Sequence, residues 1–382
     1  MDILLSLPVA SYFFSTSLAS WSTSLNLLFF YMTWSTLVLT HSPLQIEILG
    51  ITALRVAFWL LPSLLFLAFD TLLPSLAENI KYNGASALPP RDAKSLAKLT
   101  GLALLNLAFE TAAEAGISLG LATLLKTPVF RTATTLPLPW QMLKHLALLF
   151  TGREILTYYT HRYLLHGAPT PALTLPSKPS HLPKPKLTKR NHPPASTRAL
   201  TSLHTRHAHA RASPPFSLDL KTDHPVPYLL HRFLPLYLPA LALHARDLHL
   251  LTFLLFAGLA TLEETLTLSG YAVVPGILLG GMARRAAVHY RGAGAASRAG
   301  RGGGGNGVKG RVGNFGGWGV LDWAHGTSLG GDVMADLRDE AEKHRVQERG
   351  VRKAGEVGDA VRDGVEGWRK GSGKRRGKKT ES

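Results

Sequence analysis

The sequence predicts an all-α, multi-pass membrane helical bundle with a cytosolic, histidine-bearing cap. Three observations predict it. Apolar runs fill residues 25–165 and 229–280, whereas Gly, Pro, Lys and Arg crowd much of the remainder. Basic residues concentrate in the loops beside the apolar runs, the pattern of loops that stay in the cytosol. Histidines gather where the apolar runs give way to those loops.

The first apolar run is 25–39, with Tyr31 and Trp34 suited to a membrane interface. The second is 56–69, entered by Arg55 and interrupted by Pro62. Each strict run is shorter than the roughly 20 residues that cross a bilayer, and flanking neutral residues bring both near that length. Residues 84–98 are polar, contain Pro89-Pro90 and read as a loop. A third span covers 99–125 and carries Glu110 and Glu114 at i,i+4 on one face. The pair reads as a polar helix contact or as part of a helix lying at the interface. A fourth helix covers 136–166. A helical pair follows at 229–243 and 250–262, either spanning or dipping partway, with Pro235 and Pro239 kinking its first member. Four to six membrane-embedded helices result.

This arrangement divides the chain into N-terminal membrane helices (1–135), a histidine-bearing region (136–330) and a charged cytosolic tail (331–382). Two segments of the middle region read as insertions that cannot order themselves. Residues 168–200 are rich in Pro, Lys, Ser and Thr, and residues 291–313 in Gly and Arg. The N-terminus lacks a basic leader and a small-residue cleavage pattern, so the first apolar run is expected to remain as an anchor.

Composition excludes several chemistries. The chain has no cysteine, which removes disulfides, thiolate metal sites and cysteine nucleophiles. Any metal must be held by His and carboxylate. Residues 153–232 and 281–313 carry +9 and +7 of the net +17. Such charge also suits nucleic acid, but no aromatic-rich basic groove or DNA-binding motif accompanies it, so no nucleic-acid partner is expected.

The histidines carry the chemical signal. In Glu154-Ile-Leu-Thr-Tyr158-Tyr-Thr-His161-Arg162-Tyr-Leu-Leu-His166, the residues Glu154, Tyr158 and His161 fall at i, i+4 and i+7 on one helical face. His161 and His166 are five apart, roughly 140° around a regular helix. They share one metal only if the helix end unwinds; otherwise each serves a different ion. A second cluster is His204-Thr-Arg-His207-Ala-His209, where spacing of three puts His204 and His207 on neighbouring parts of one face while His209 points elsewhere. His224 follows in Asp223-His224-Pro225, and His289 in Ala286-Ala-Val-His289-Tyr290. Many imidazoles with few acids favour iron, zinc, copper or nickel over magnesium or calcium. The metal-ligand candidates are therefore His161, His166, His204, His207, His209, His224 and His289. His181 and His192, in the Pro/Lys segment, read as solvated. Glu154 and Tyr158 read as groups that orient ligand histidines or as helix-packing residues.

At these residues the chain resembles the fatty acid hydroxylase/sterol desaturase superfamily, which includes C-4 methylsterol oxidases and sterol C-5 desaturases. The His161–His166 segment looks like that family's first histidine box, with Glu154 where an acidic residue commonly precedes it. Leu203-His204-Thr-Arg-His207 looks like the second box. Ser269-Gly270-Tyr271 resembles its His-Ser-Gly-Tyr segment, and Asn314-Phe315-Gly316 with Leu321-Asp322-Trp323 and Gly326-Thr327 resembles its closing segment. The similarity covers roughly 145–330, with the signals in the family's order. The departures are Ala208 in place of the last imidazole of the second box, Leu268 before Ser-Gly-Tyr, and Ala286 and Tyr290 in the third box, which keeps only His289.

The resemblance implies a multi-pass endoplasmic-reticulum enzyme holding non-haem iron as a pair, here with an incomplete ligand set. It implies a sterol or fatty-acyl substrate, hydroxylated or desaturated with O2 and electrons from cytochrome b5 or a similar donor. Two other readings stand beside it. One is a relative with impaired catalysis serving as a membrane scaffold or lipid-binding protein. The other is a transporter-like bundle whose histidines relay protons, for which Glu110 and Glu114 are the only substantial polar groups at depth. The topology is directly testable. Protease added to sealed microsomes should cut within 168–200, 291–313 and the tail. Protection of all three would reverse the orientation.

Overall fold

The computed structural model describes residues 21–167, 195–210, 215–244, 247–274, 277–301 and 312–331, with 333–335, 338 and 342 beyond them. The chain divides into two compact units, residues 1–330 and 331–382. In the second unit the few described residues include a helical turn at 333–335. The first unit holds everything below and is all-helical, with no strand among the described residues.

Helix α1 covers Trp21–Thr40. Helix α2 runs Pro43–Leu72 and is longer than the apolar run alone suggested. Its extension has a local cause: Ser42 accepts from Gln45 N, Gln45 returns a bond to Ser42 N, and Pro43 fits the first turn. Pro62 does not break it, because the chain widens into a π turn at Val56–Leu60 and Pro62 begins the next helical stretch. The short helix α3 is Pro74–Ile80. Helix α4, Ala93–Leu125, is capped by Asp92 and ends at Lys126 in the left-handed region, φ 59°. Helix α5 covers Pro139–Tyr159 and runs on as a π turn, Thr160–Leu165.

Helix α6, Ala195–His207, starts inside the segment whose composition predicts no order; residues 168–194 lie outside the described residues. A 3₁₀ turn at Ser217–Lys221 leads to a helical turn at Pro225–Tyr228, a π turn at Leu229–Phe233 and helix α7, Leu234–Ala242. Helix α8 is Leu250–Thr267. Helix α9, Ile277–Arg301, enters the Gly/Arg-rich stretch, which is thus helical as far as Arg301; Ala-rich steps there favour helix and Ala293 is buried. Residues 302–311 lie outside the described residues. A five-residue helix α10, Val320–Ala324, closes the unit.

Among the described residues, three helices are long and apolar enough to cross a membrane: α2, α4 and α8. Residues 25–40 of α1 form a shorter apolar helix. The surface agrees with membrane association. Phe29, Leu39, Leu65 and Leu124 are each more than 70% exposed, while Arg55, Asp70, Glu110 and Glu114 are buried. The main apolar core joins α2, α5, α7 and α8 around Ile51, Leu149, Phe253 and Phe256, with Phe130 stacked on Phe253 at 4.4 Å. Glu110 and Glu114 both meet Arg55 of α2, at 3.1 and 2.8 Å, so the acids inside this span make helix contacts. The Ser269-Gly270-Tyr271 segment docks on the α3 end: Tyr82 N donates to Gly270 O, and the Tyr271 hydroxyl donates to Asp70 at 2.6 Å. Gly270 is required there. Its φ is +80°, and a Cβ would lie 2.7 Å from the Pro215 carbonyl oxygen.

Candidate metal centre

Six imidazoles from four separated segments converge at one end of the bundle. His161 and His166 come from the end of α5, His204 and His209 from the end of α6, His231 from the turn before α7, and His289 from α9. Ring centroids lie 4.2 Å apart for His161 and His231, 4.6 Å for His161 and His289, and 4.7 Å for His204 and His209. Potential ligand atoms of His161, His166, His209 and His289 all lie within 4.8 Å of one another, so this group can hold a metal ion.

Local backbone geometry makes the convergence possible. His161 and His166 would diverge on a regular helix. The π turn instead bonds His166 N to His161 O, an i→i+5 step that places both rings on one side. Their Nε2 atoms are 3.2 Å apart. The second pair repeats the spacing by another route. Helix α6 ends at His207, the chain turns at Ala208, and His209 folds back so that its Nε2 lies 3.1 Å from that of His204. Metal–imidazole bonds of about 2.1 Å set adjacent ligand nitrogens roughly 3.0 Å apart in an octahedron and 3.4 Å in a tetrahedron. Both pairs fall between these edges.

The rings are held from behind. His161 Nδ1 donates to the Phe315 carbonyl at 2.9 Å and His289 Nδ1 to the Gly313 carbonyl at 2.7 Å. His204 Nδ1 bonds Asp223 Oδ2 at 2.5 Å. Each contact puts the proton on Nδ1 and leaves the Nε2 lone pair facing the cluster. The Nε2 of His289 and the Nδ1 atoms of His209 and His231 are buried with no hydrogen-bond partner. Orphaned acceptors among buried imidazoles are what a bound cation satisfies, so the residues present fit a metal.

The carbonyls come from the closing loop, which is itself clamped. Asp322, fully buried, accepts from Phe315 N, Gly316 N and the Thr327 hydroxyl at 2.9, 2.8 and 2.6 Å. Glu154 accepts from Gly317 N and Trp318 N at 3.1 and 3.0 Å. The Tyr158 hydroxyl meets Thr327 Oγ1 at 3.2 Å and accepts from Arg162. Glu154 and Tyr158 therefore reach the histidines through the loop. Glu154 also leaves no room for a side chain at Gly316, where a Cβ would sit 2.7 Å from its Oε1.

Burial is the first cause of the cluster's electrostatics; the crowding of imidazoles, which disfavours a charge on any one beside a charge on another, and Arg232 beside His231 add to it. Together they hold His161, His166, His209 and His231 well below the ordinary imidazole range. Burial pushes His289 down to about 4, the Gly313 bond opposing. Neutral rings are the form that binds metal.

A cavity of about 70 Å³ opens against the cluster. His161, His231 and His289 line it, with Leu268, Met282, Ala286 and Tyr290. Arg153, Arg232, Glu263 and Glu264 form its polar wall. Arg153 pairs with Glu263 and Glu264 at 2.8 Å each, and Arg232 with Glu264 at 3.2 Å, so these carboxylates are engaged by guanidinium groups. Ala286 and Tyr290, the two departures of the third box, face this cavity, and Leu268 is buried beside it.

Of the seven sequence candidates, the structure gathers His161, His166, His204, His209 and His289. It sets His207 and His224 apart. Their rings are 5.2 Å from each other; His207 is exposed with Nδ1 on the Leu203 carbonyl, and His224 Nδ1 caps Val226 N. The cause for His207 is that α6 continues regularly to that residue, which turns its ring away from His204's partners. His231 was missed. It sits alone in an apolar run, and only the π turn at Leu229–Phe233 aims it inward. His181 and His192 lie outside the described residues. No family model matches the chain, and no solved structure matches it.

Two measurements follow from this geometry. Metal content per chain should fall in His161→Ala and His289→Ala and stay at the wild-type level in His207→Ala. Equal loss in all three would break the assignment. Protonation supplies the second. The unfolded chain takes protons on these rings below pH 6.5, and the folded protein resists them down to about pH 4 for His289. The unfolded state then binds more protons, so stability present above pH 6.5 is lost as pH falls through this window. The unfolding temperature of the metal-free protein should drop between pH 6.5 and 4; a flat profile would contradict the burial of neutral rings.

Proposed function

We propose that this protein is a membrane-bound non-haem iron oxidoreductase that hydroxylates or desaturates a sterol or fatty-acyl lipid. The single observation that carries the reading is the convergence of neutral imidazoles from four segments, His161, His166, His209 and His289 at its centre. Apolar helices beside them support a substrate that arrives from lipid. The order of boxes and loop segments along the chain adds the family resemblance. On this reading the protein lies in the endoplasmic-reticulum membrane with its histidine cap and tail in the cytosol, and electrons come from cytochrome b5 or a similar donor.

Iron, as a pair where the ligands suffice, supplies O2 activation and oxidation of an unactivated C–H bond. The chain's own groups do the rest. Neutral nitrogens of the four histidines bind the ion, with His204 and His231 beside them as further donors. The Gly313 and Phe315 carbonyls and Asp223 orient three of the rings. Leu268, Met282 and Ala286 give the adjoining cavity an apolar wall that keeps water from the reacting atoms.

A second reading, a relative with impaired catalysis that acts as a membrane scaffold or lipid-binding protein, is favoured by one observation. The cavity at the cluster measures about 70 Å³, whereas sites enclosing a whole small molecule run to roughly 300 Å³ or more. The experiment that separates the two combines a deletion strain with purified protein. An oxidoreductase predicts an accumulating lipid precursor in the strain, and iron with reductant-dependent O2 consumption in the protein. Unchanged lipids together with iron appearing only after Ala208→His, Ala286→His and Tyr290→His restore the boxes would establish the impaired relative.

A further inference from the structure

Four charged side chains are buried together where α2 and α4 meet the turn before residue 223. Arg55 bonds Glu110 and Glu114 at 3.1 and 2.8 Å. Glu110 also accepts from Lys221 and from the Tyr228 hydroxyl, each at 2.5 Å. All are at least 95% buried. Helix packing alone does not need this. Charges of either sign are costly in an apolar interior, and well-packed apolar residues commonly replace a buried ion cluster without loss of stability.

What the cluster holds is a segment of backbone. Lys221 ends the 3₁₀ turn Ser217–Lys221, and its ammonium is pinned by Glu110 on α4. One turn earlier on the same helix, Asn106 Nδ2 donates to the carbonyls of Lys221 and Asp223, both at 2.7 Å. Residues 221–223 are thus fastened to α4 by a side chain and by two main-chain oxygens. The free end of that segment is the Asp223 carboxylate. Its Oδ1 accepts from His224 N at 2.7 Å, which fixes its rotation, and its Oδ2 takes the Nδ1 proton of His204 at 2.5 Å. An unbroken run of buried polar contacts leads from the interior of two candidate spans to one ring of the histidine cluster.

We propose that the Arg55–Glu110–Glu114–Lys221 cluster, with Asn106, is the positioning device of the metal centre: it sets Asp223, and Asp223 sets His204. The inference rests on the reading of the imidazole group as a metal site. The two apolar helices α2 and α4 serve here as the rigid scaffold for the loop residue that orients a histidine. His204 lies at the end of α6, and Asp223, held by Asn106, ties its ring to α4. Orienting partners of ligand histidines typically change metal affinity 10- to 100-fold when removed.

The test uses the full-length protein in lipid nanodiscs, stripped of metal and titrated with Co(II), whose absorption bands report ligand arrangement. The charge-balanced variant Arg55→Met/Glu110→Gln/Glu114→Gln/Lys221→Met should keep the wild-type unfolding temperature within a few degrees, bind Co(II) about 10- to 100-fold more weakly and shift the bands. Asp223→Ala should do the same, and Asp223→Asn, which keeps an oxygen for His204 Nδ1, should recover most of the affinity. If the four-residue variant does not fold, Asn106→Leu carries the comparison, since it leaves every charge in place and removes both main-chain ties. Wild-type affinity and bands in the four-residue or Asn106 variant would overturn the positioning role while leaving the metal centre intact. Affinity lost only in proportion to folded protein would also overturn it. Failure of the wild type to take up Co(II) at all would overturn the metal centre itself, and the inference with it.

Discussion

Imidazoles packed together away from water, as His161, His166, His209, His231 and His289 are, share one constraint: burial disfavours their charged form, so the neutral ring has to be oriented wherever a partner is within reach. That constraint organises the histidine end of the molecule. A cationic ring there would face both the desolvation of its charge and repulsion from its neighbours. Main-chain carbonyls at Gly313 and Phe315 and the carboxylate of Asp223 meet it by accepting Nδ1 protons. The loop that presents the two carbonyls cannot rest on regular secondary structure, since its own N–H groups need acceptors. Asp322 and Glu154 supply them, two or three bonds each. Asp322 and Glu154 are therefore engaged by the loop, Glu263 and Glu264 by guanidinium groups and Asp223 by His204, which leaves imidazole as the chemistry of the site.

The same logic runs inward from the cluster. A membrane bundle gains little from the hydrophobic contrast between its helices and lipid, so close packing and buried polar contacts hold it together. Here the candidate spans α2 and α4 are joined by Arg55, Glu110 and Glu114, while Phe and Leu are exposed on the outside. The polar interior is continuous with the histidine cap through Lys221, Asn106 and Asp223. Fold and site thus share one set of contacts.

Much of this was legible in the sequence. Apolar runs located α2, α4 and α8, because length and composition decide whether a helix can cross a membrane. They underestimated α2, whose first turns depend on a capping box at Ser42 and Gln45, and α4, which starts at Ala93 behind an Asp92 cap, inside the stretch 84–98 read as a loop. Composition failed for 195–200 and 291–301, where helices α6 and α9 run through stretches read as unordered. In 291–301 the Ala-rich steps favour helix and Ala293 is buried, which the Gly/Arg content hid. Within the site, His161, His166 and His204 stood out by position where apolar or helical runs end, and His289 by the resemblance of its segment to a histidine box. His231 did not, because no spacing rule marks a lone imidazole in an apolar run. Asp223, Asp322 and Lys221 were visible as residues but not as partners, since their roles depend on contacts between segments far apart in the chain.

The ligand accounting shows most clearly why linear spacing is a poor guide here. Read as His-x-x-His, the second cluster selects His204 and His207, a pair suited to neighbouring positions on a regular helix. In three dimensions the pair that meets is His204 and His209, five apart, matching His161 and His166 five apart. One pair closes through a π turn and the other through a turn that ends its helix, so neither uses regular helical geometry. Ala208 is then no longer a missing ligand: it is the residue at which the chain leaves the helix and delivers His209. Ala286 and Tyr290 are different. They stand on a regular part of α9 and face the cavity beside His289, so nothing in the backbone brings another imidazole to their places. The departures from the pattern the sequence resembles therefore fall into two kinds, one met by a change of backbone path and one that leaves space beside the histidine cluster. That space, bounded by His289, Tyr290 and the paired Arg153 and Glu263, is where this chain's centre differs from a full set of histidine boxes.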